Sequence, residues 1–330
     1  MNNRLTARRK VLILGSAIAL GLGVSGATVH AQSFPERPIQ MVVGFPPGGG
    51  TDIVARIFAD QLSKDLKQPV IVENKAGAGG AIATEGVARA NPDGYTVFMG
   101  TMGNLSVNQH LYPMKIDPAK ELTPIGQAVA VHFVMVAHPS FPANSVKEVV
   151  EFAKANPGKV NYSSSGIGGA PHLAGELFNA QTGAQLAHIP YKGSGPSLND
   201  LIGGQVQVTF DSLVQALPYI QSGKLKAIAV LGSKRSSLLP DVPTMQEAGL
   251  ANYDFTNWFG IVAPAGTPQA NIKILNDAVV KVQNQPDVRN KLEKMGADVV
   301  VTTPKEFGDF VQAESAKWAR VIKEANIKAQ

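Results

Sequence analysis

Residues 39–66 read Ile39-Gln40-Met41-Val42-Val43, then Gly44-Phe45-Pro46-Pro47-Gly48-Gly49-Gly50-Thr51-Asp52, then a segment with Val54, Ile57, Phe58, Leu62 and Leu66 spaced as one helical face. The apolar run fits a buried strand, the prolines and glycines a turn, and the three-to-four spacing an amphipathic helix. Pro69 ends that helix, and residues 70–72 predict the next strand. The same order returns in the second half. Val160-Asn161-Tyr162 leads into Ser163-Ser164-Ser165-Gly166-Ile167-Gly168-Gly169-Ala170-Pro171-His172, and a helical face continues through Leu173 and Leu177. Two such units predict two α/β lobes, each aiming a helix N-terminus at a shared crevice, the usual place for a ligand in these sheets.

Around these units the alternation continues. Gly77-Ala78-Gly79-Gly80 opens a helix over residues 81–90, Asn91-Pro92-Asp93-Gly94 reads as a turn, and residues 95–99 as a strand followed by Thr101, Met102, Gly103 and Asn104. Further strands are predicted over 129–136, 187–191, 206–210, 227–231 and 259–263, and helices over 145–155, 271–284 and 304–327. This pattern argues for largely parallel sheets.

The 330 residues carry 30 Lys+Arg against 25 Asp+Glu and no cysteine. Arg4, Arg8, Arg9 and Lys10 hold four of the five excess positive charges, so the remainder lacks the basic face that a nucleic-acid binder needs. That basic start, an apolar run from Val11 to Val24 and the small-x-small triplet Val29-His30-Ala31 fit a cleavable export signal over residues 1–31. The run is shorter than the ~20 apolar residues of a spanning helix. Arg8-Arg9 leaves open whether export is by the general or the twin-arginine route. Gly21-Leu22-Gly23-Val24-Ser25-Gly26 matches a dinucleotide fingerprint formally, but it follows no strand. Export without cysteine means neither disulfides nor thiol-held metal, and suits a bacterial periplasm.

A glycine-rich turn into a helix exposes unpaired backbone N–H groups at the positive end of the helix dipole, which is a site for an anion. Neither loop ends in the Gly-Lys-Ser/Thr of a phosphate-binding loop, and neither contains Lys or Arg, so a small carboxylate held by amides and hydroxyls fits better than phosphate. Asp52 stabilises the helix start or faces the ligand, and Thr51 caps the helix or offers its hydroxyl. Tyr191-Lys192-Gly193-Ser194-Gly195-Pro196 and Phe210-Asp211-Ser212 likewise follow or end strands. Lys192 is the one base placed near the cleft, and Asp211 is read as orienting a donor or water or recognising a ligand amine. Ser165, His172 and Asp211 can be written as a hydrolytic triad, but no Gly-x-Ser-x-Gly elbow is present. The histidines at 110, 132, 138, 172 and 188 show no metal-ligand spacing, so no metal and no cofactor are expected.

Residues 45–52 with Arg56, Val72-Glu73-Asn74-Lys75 followed by Gly77-Ala78-Gly79-Gly80, Pro92-Asp93-Gly94-Tyr95-Thr96, and Tyr191-Lys192-Gly193 resemble, in order and spacing, the substrate-binding receptors of tripartite tricarboxylate transporters, the Bug-type proteins. The resemblance runs from Phe34 to the C-terminal helix. It implies a non-enzymatic periplasmic protein with a type II periplasmic binding-protein fold, in which two lobes close on a small carboxylate. One lobe would hold 32–129 plus 252–330 and the other 130–251. It also implies ligand contacts at Phe45, Gly48, Gly49, Thr51, Asp52, Ser164, Ser165, Gly166, His172, Lys192, Gly193 and Asp211. Thr101, Met102, Asn104, Trp258 and again Phe45 are expected at the ligand's distal end. The partners implied are membrane subunits of such a transporter, or alternatively a sensor-kinase ectodomain, with the chain itself a monomer. An exported hydrolase is the remaining alternative.

Overall fold

The structure is a computed structural model and describes residues 34–253, 255–324 and 327. The predicted export signal at 1–31 lies outside the described residues. The chain begins with β1 (Ile39–Val43), α1 (Gly50–Leu66), β2 (Val70–Asn74), α2 (Ala81–Ala88), β3 (Thr96–Thr101), α3 (Asn108–Leu111), α4 (Pro118–Glu121) and β4 (Leu122–Val131). It continues with β5 (Phe133–Ala137), α5 (Val146–Ala155), β6 (Asn161–Ser164), α6 (Ala170–Thr182), β7 (Ala187–Pro190), α7 (Ser194–Ile202), β8 (Val208–Ser212), α8 (Leu213–Gln221) and β9 (Lys226–Val230). It closes with β10 (Asn257–Pro264), α9 (Gln269–Gln283), α10 (Pro286–Glu293), β11 (Ala297–Val299) and α11 (Pro304–Glu324).

These strands form two sheets, ordered β11-β4-β10-β3-β1-β2 and β7-β6-β8-β5-β9. Within the first, β1 runs parallel to β2 and β3, while β10 and β11 pair antiparallel. In the second, β6 is parallel to β7 and β8, and β5 is antiparallel to β8 and β9. The expectation of largely parallel sheets is therefore corrected. The parallel pairs surround the two glycine-rich loops, whereas the strands that carry the chain from one sheet to the other pair antiparallel.

A second correction concerns residues 129–136, which read as one strand. The chain changes sheets at His132, between β4 and β5. Its N–H donates to Gly296 O at 2.9 Å, its carbonyl accepts from Leu213 N–H at 2.8 Å, and its Nε2 lies 2.7 Å from Asp298 Oδ2. One residue is thus tied to both sides of the crossing. The apolar run hides the break because β4 and β5 are each buried. The return crossing lies between β9 and β10, where Phe255 N–H donates to Leu231 O at 3.0 Å.

The periodicity that predicts α1 is the periodicity it buries: Val54, Ile57, Phe58 and Leu62 lie in the core. Lys67, left-handed at φ 55°, stops the helix ahead of Pro69. Trp258, expected near the ligand, packs instead edge-on against Phe307 and Phe310 and donates Nε1–H to Glu314 at 3.2 Å. Gly260 makes room for that cluster, since a Cβ there would stand 2.0 Å from Phe307 Cζ. Met102, also expected near the ligand, is fully buried.

Candidate functional site

The first loop turns at Gly48, whose φ of +81° suits glycine, and enters α1 through Gly49 in extended conformation. Asp52, one turn on, braces this turn from inside. Its Oδ2 accepts from Gly48 N–H and Arg56 Nε–H, both at 2.9 Å, and its Oδ1 accepts from Asn74 Nδ2 at 2.9 Å. Burial pushes the Asp52 carboxyl up, but these hydrogen bonds and the Arg56 charge outweigh it and hold the group below its usual value. Asn74 also donates to Phe45 O at 2.9 Å, so the loop is fastened to the end of β2.

The second loop turns at Gly166 (φ +126°) and Gly168 (φ +74°) and is braced by neutral groups. Ser164 Oγ accepts from Gly166 N–H at 3.1 Å and lies 2.6 Å from His188 Nε2. His172 Nδ1 accepts from Gly168 N–H at 3.2 Å, and its ring packs on His188 with centroids 4.4 Å apart. Burial lowers His172 to about 4, and burial together with the His172 ring lowers His188 to about 3, so both imidazoles are uncharged near neutral pH.

Between the loops lies a small chamber of about 60 Å³ that opens to solvent. Of the residues singled out from sequence, Phe45, Gly49, Thr51, Thr101, Ser165, Gly193 and Asp211 line it. A neighbouring chamber of about 500 Å³ shares Phe45, Ser165 and Gly193 and adds Gly166 and Lys192. Pro46 and Gly193 stand between the two, so close that a Cβ on Gly193 would lie 2.9 Å from Pro46 Cγ.

Gly48, Asp52, Asn104, Ser164 and His172 line neither chamber. Except for exposed Gly48 they stand buried behind the wall, with polar atoms turned to the loops they hold. Asn104 shows the pattern: its Oδ1 accepts from Thr101 Oγ1 at 3.0 Å and its Nδ2 donates to Gly79 O at 2.8 Å.

Four helices begin at the first chamber: α1 at Gly50, α6 at Ala170, α7 at Ser194 and α8 after Ser212. None of the four has a side-chain hydrogen bond at its N-cap. Ser145 caps α5, and Thr303 exchanges bonds with Glu306 at the start of α11, while α9 and α10, like the four, lack a side-chain cap. Four positive dipole ends converge on a cavity without a lysine or arginine in its lining. One of those amides, Gly50 N–H, is taken by Gln215 Oε1 at 3.2 Å, reaching across from α8.

Gln215, Asn257, Phe133 and Phe259 also line this chamber and were not singled out from sequence. Gln215 sits in the first turn of a helix that contains Pro218, which obscures the helical pattern. The other three belong to β5 and β10, where only the crossing topology brings them to the cleft. Among the described residues no hydrogen bond joins Ser165, His172 and Asp211, and His172 Nδ1 is occupied by the loop backbone. The triad reading is corrected accordingly.

The chain matches the family model described as tripartite tricarboxylate transporter family receptor over residues 54–327. It is 38% identical to the protein BugT of Bordetella pertussis over 322 residues, covering 97% of this chain and 98% of that one. Among solved structures it is similar to an R. palustris protein with adipate, at 35% identity and a TM-score of 0.87 over 89% of this chain and 99% of the other. It is also similar to MatC from Rhodopseudomonas palustris with bound malate, at 34% identity and a TM-score of 0.85 over 88% and 100%.

Proposed function

The chain belongs to the tripartite tricarboxylate transporter family of receptors, a group of periplasmic binding proteins rather than enzymes, and from that premise we propose that it captures a small carboxylate in the first chamber. The observation that carries this reading is the convergence of four uncapped helix N-termini on a cavity lined without cations. Backbone amides there meet negative charge without a basic side chain. The relatives solved with adipate and with malate hold ligands of this chemistry.

In this reading Gly49, Thr51, Ser165, Gly193 and Asp211 face the ligand, and Thr101 and Phe45 bound its far end. Gly48, Asp52, Asn104, Ser164 and His172 act one layer back by shaping the loops, and Gly166 and Lys192 border the neighbouring chamber. Each charge-assisted hydrogen bond contributes ~1.5–3 kcal/mol. A few of them with lobe closure reach micromolar affinity, about 8 kcal/mol. The lobes are assigned as 32–129 plus 252–330 and 130–251, moving about the crossings near His132 and between β9 and β10. The chain is assigned to the periplasm after cleavage near Ala31, and hands its ligand to membrane subunits of the transporter.

Thermal-shift screening against mono-, di- and tricarboxylates tests the proposal. A carboxylate is expected to raise the melting temperature in proportion to the logarithm of its concentration above Kd. Stabilisation by sugars or cations with none by any carboxylate overturns it.

A further inference from the structure

Asp211 ends β8 at the floor of the first chamber and is 2% exposed. Its Oδ1 accepts from Ser212 N–H at 2.7 Å and from the Ser194 hydroxyl at 3.4 Å. Its Oδ2 is buried without a partner in the wall of the cavity assigned to the ligand. The charged and titratable groups of the surrounding elements do not neutralise it. On α1, Asp52 is bound to Arg56; beside β5, His132 is bound to Asp298; Lys192, ahead of α7, is exposed and borders the other chamber. On α6 and β7, His172 and His188 are uncharged, and on β6 the Tyr162 hydroxyl donates to Glu176 at 2.6 Å, with burial pushing that phenol well above its ordinary value.

Resting on the carboxylate reading above, we propose that Asp211 takes up one proton when the ligand enters, making carboxylate capture proton-coupled. Two carboxylates sharing a cavity without a cation push one of their pKa values up, and the protein's group is the one already desolvated. The proton comes from solvent and settles on Oδ2, so no other bond is made or broken. Oδ2–H then becomes a donor in the wall of the chamber, where an acid-to-carboxylate hydrogen bond is among the strong, charge-assisted kind. Burial, offset only in part by the Ser212 and Ser194 bonds, has already raised Asp211 to about 6 in the empty cleft. Below that pH the group is protonated beforehand and affinity is flat. Above it, each ligand bound must draw in a proton, and affinity falls as pH rises until the pKa of the complex is passed.

Isothermal titration of malate and adipate into the protein purified from the periplasm, at pH 7.5 in two buffers of different ionisation enthalpy, reads the proton directly. The expected result is uptake of up to one proton per ligand and a Kd that rises by up to about tenfold per pH unit between pH 6.5 and 8. Asp211→Asn, which keeps an acceptor for Ser212 and supplies a fixed donor, is expected to abolish the uptake and to bind more tightly than the parent at pH 8. Equal heats in both buffers with a pH-independent Kd overturn the proposal. So does loss of binding in Asp211→Asn at every pH, which makes the ionised carboxylate an acceptor for a ligand hydroxyl or amine. A ligand-free arm separates the two readings. Because the folded pKa lies above the unfolded one, the parent loses stability as pH rises from about 4 through 6. The melting temperature of Asp211→Asn should therefore exceed the parent's by more at pH 7.5 than at pH 4, and equal differences overturn the proton site. Failure of both acids to bind at any pH, with a sugar or cation binding instead, brings down the carboxylate reading along with the coupling.

Discussion

The two glycine-rich units share an order of elements and face the same chamber, yet they are held from behind by opposite means. The loop before α1 is fastened by an ionised carboxylate, Asp52, with Arg56, Asn74 and the Gly48 amide around it. The loop before α6 is fastened by two imidazoles kept neutral, His172 and His188, with Ser164 between backbone and ring. Charge braces the loop whose rear reaches solvent through Arg56, whereas uncharged groups brace the one backed by Tyr162 and Phe210 in the core. The lesson is that equal presentation of amides does not require equal support, and that the two supports answer differently to pH.

Acidification should pull the two units apart with the largest effect. His172 and His188 bind protons more readily unfolded than folded, so their stability is complete above about pH 6.5 and is lost as pH falls toward 4 and below. Asp52, with its folded pKa depressed, keeps its contribution until pH drops below about 4. Because Asp211 gains stability over the same window, calorimetric scans are expected to show a net fall in melting temperature of roughly 5 °C between pH 6.5 and 4.5. His172→Gln with His188→Gln should remove that fall and leave the opposite, Asp211-driven gain on acidification, and an unchanged slope in the double variant would remove the contrast.

Next in size, Asp52→Ala leaves the Gly48 N–H, the Asn74 amide and Arg56 without their acceptor. We expect about 3 kcal/mol lost by urea unfolding at pH 7. His172→Gln alone retains an acceptor in altered geometry and should cost about 1 kcal/mol. Arg56→Ala should be smallest, under about 1 kcal/mol, because Arg56 is 52% exposed and water screens its pairing. A larger loss for Arg56→Ala than for Asp52→Ala would show that the pair, and not the buried carboxylate, holds the loop.

Both units were legible in the sequence because their signals are local. Strand, turn and amphipathic face each depend on neighbours within a few residues, and Gly48, Gly166 and Gly168 occupy backbone conformations that only glycine adopts easily. The crossing at His132 was not legible, since burial on both sides produces a single apolar run. Nor was the direction of His172 or Asn104: a polar residue near a loop can face the cavity or the backbone behind it, and partners distant in sequence decide. Asn257 and Gln215 reach the chamber only through the sheet crossing and the α1–α8 contact, for which no local pattern exists.

The uncapped helix starts also bear on how such a receptor changes over evolutionary time. Point mutation rewrites side chains, but it deletes a main-chain N–H only by introducing proline. In the proposed site, where the anion donors belong to the main chain, substitutions that leave the loop backbone in place therefore spare those donors, whereas replacing the glycines that shape the loops does not. Side chains such as Thr101, Asn257 and Phe259 are what point mutation can exchange in the same lining.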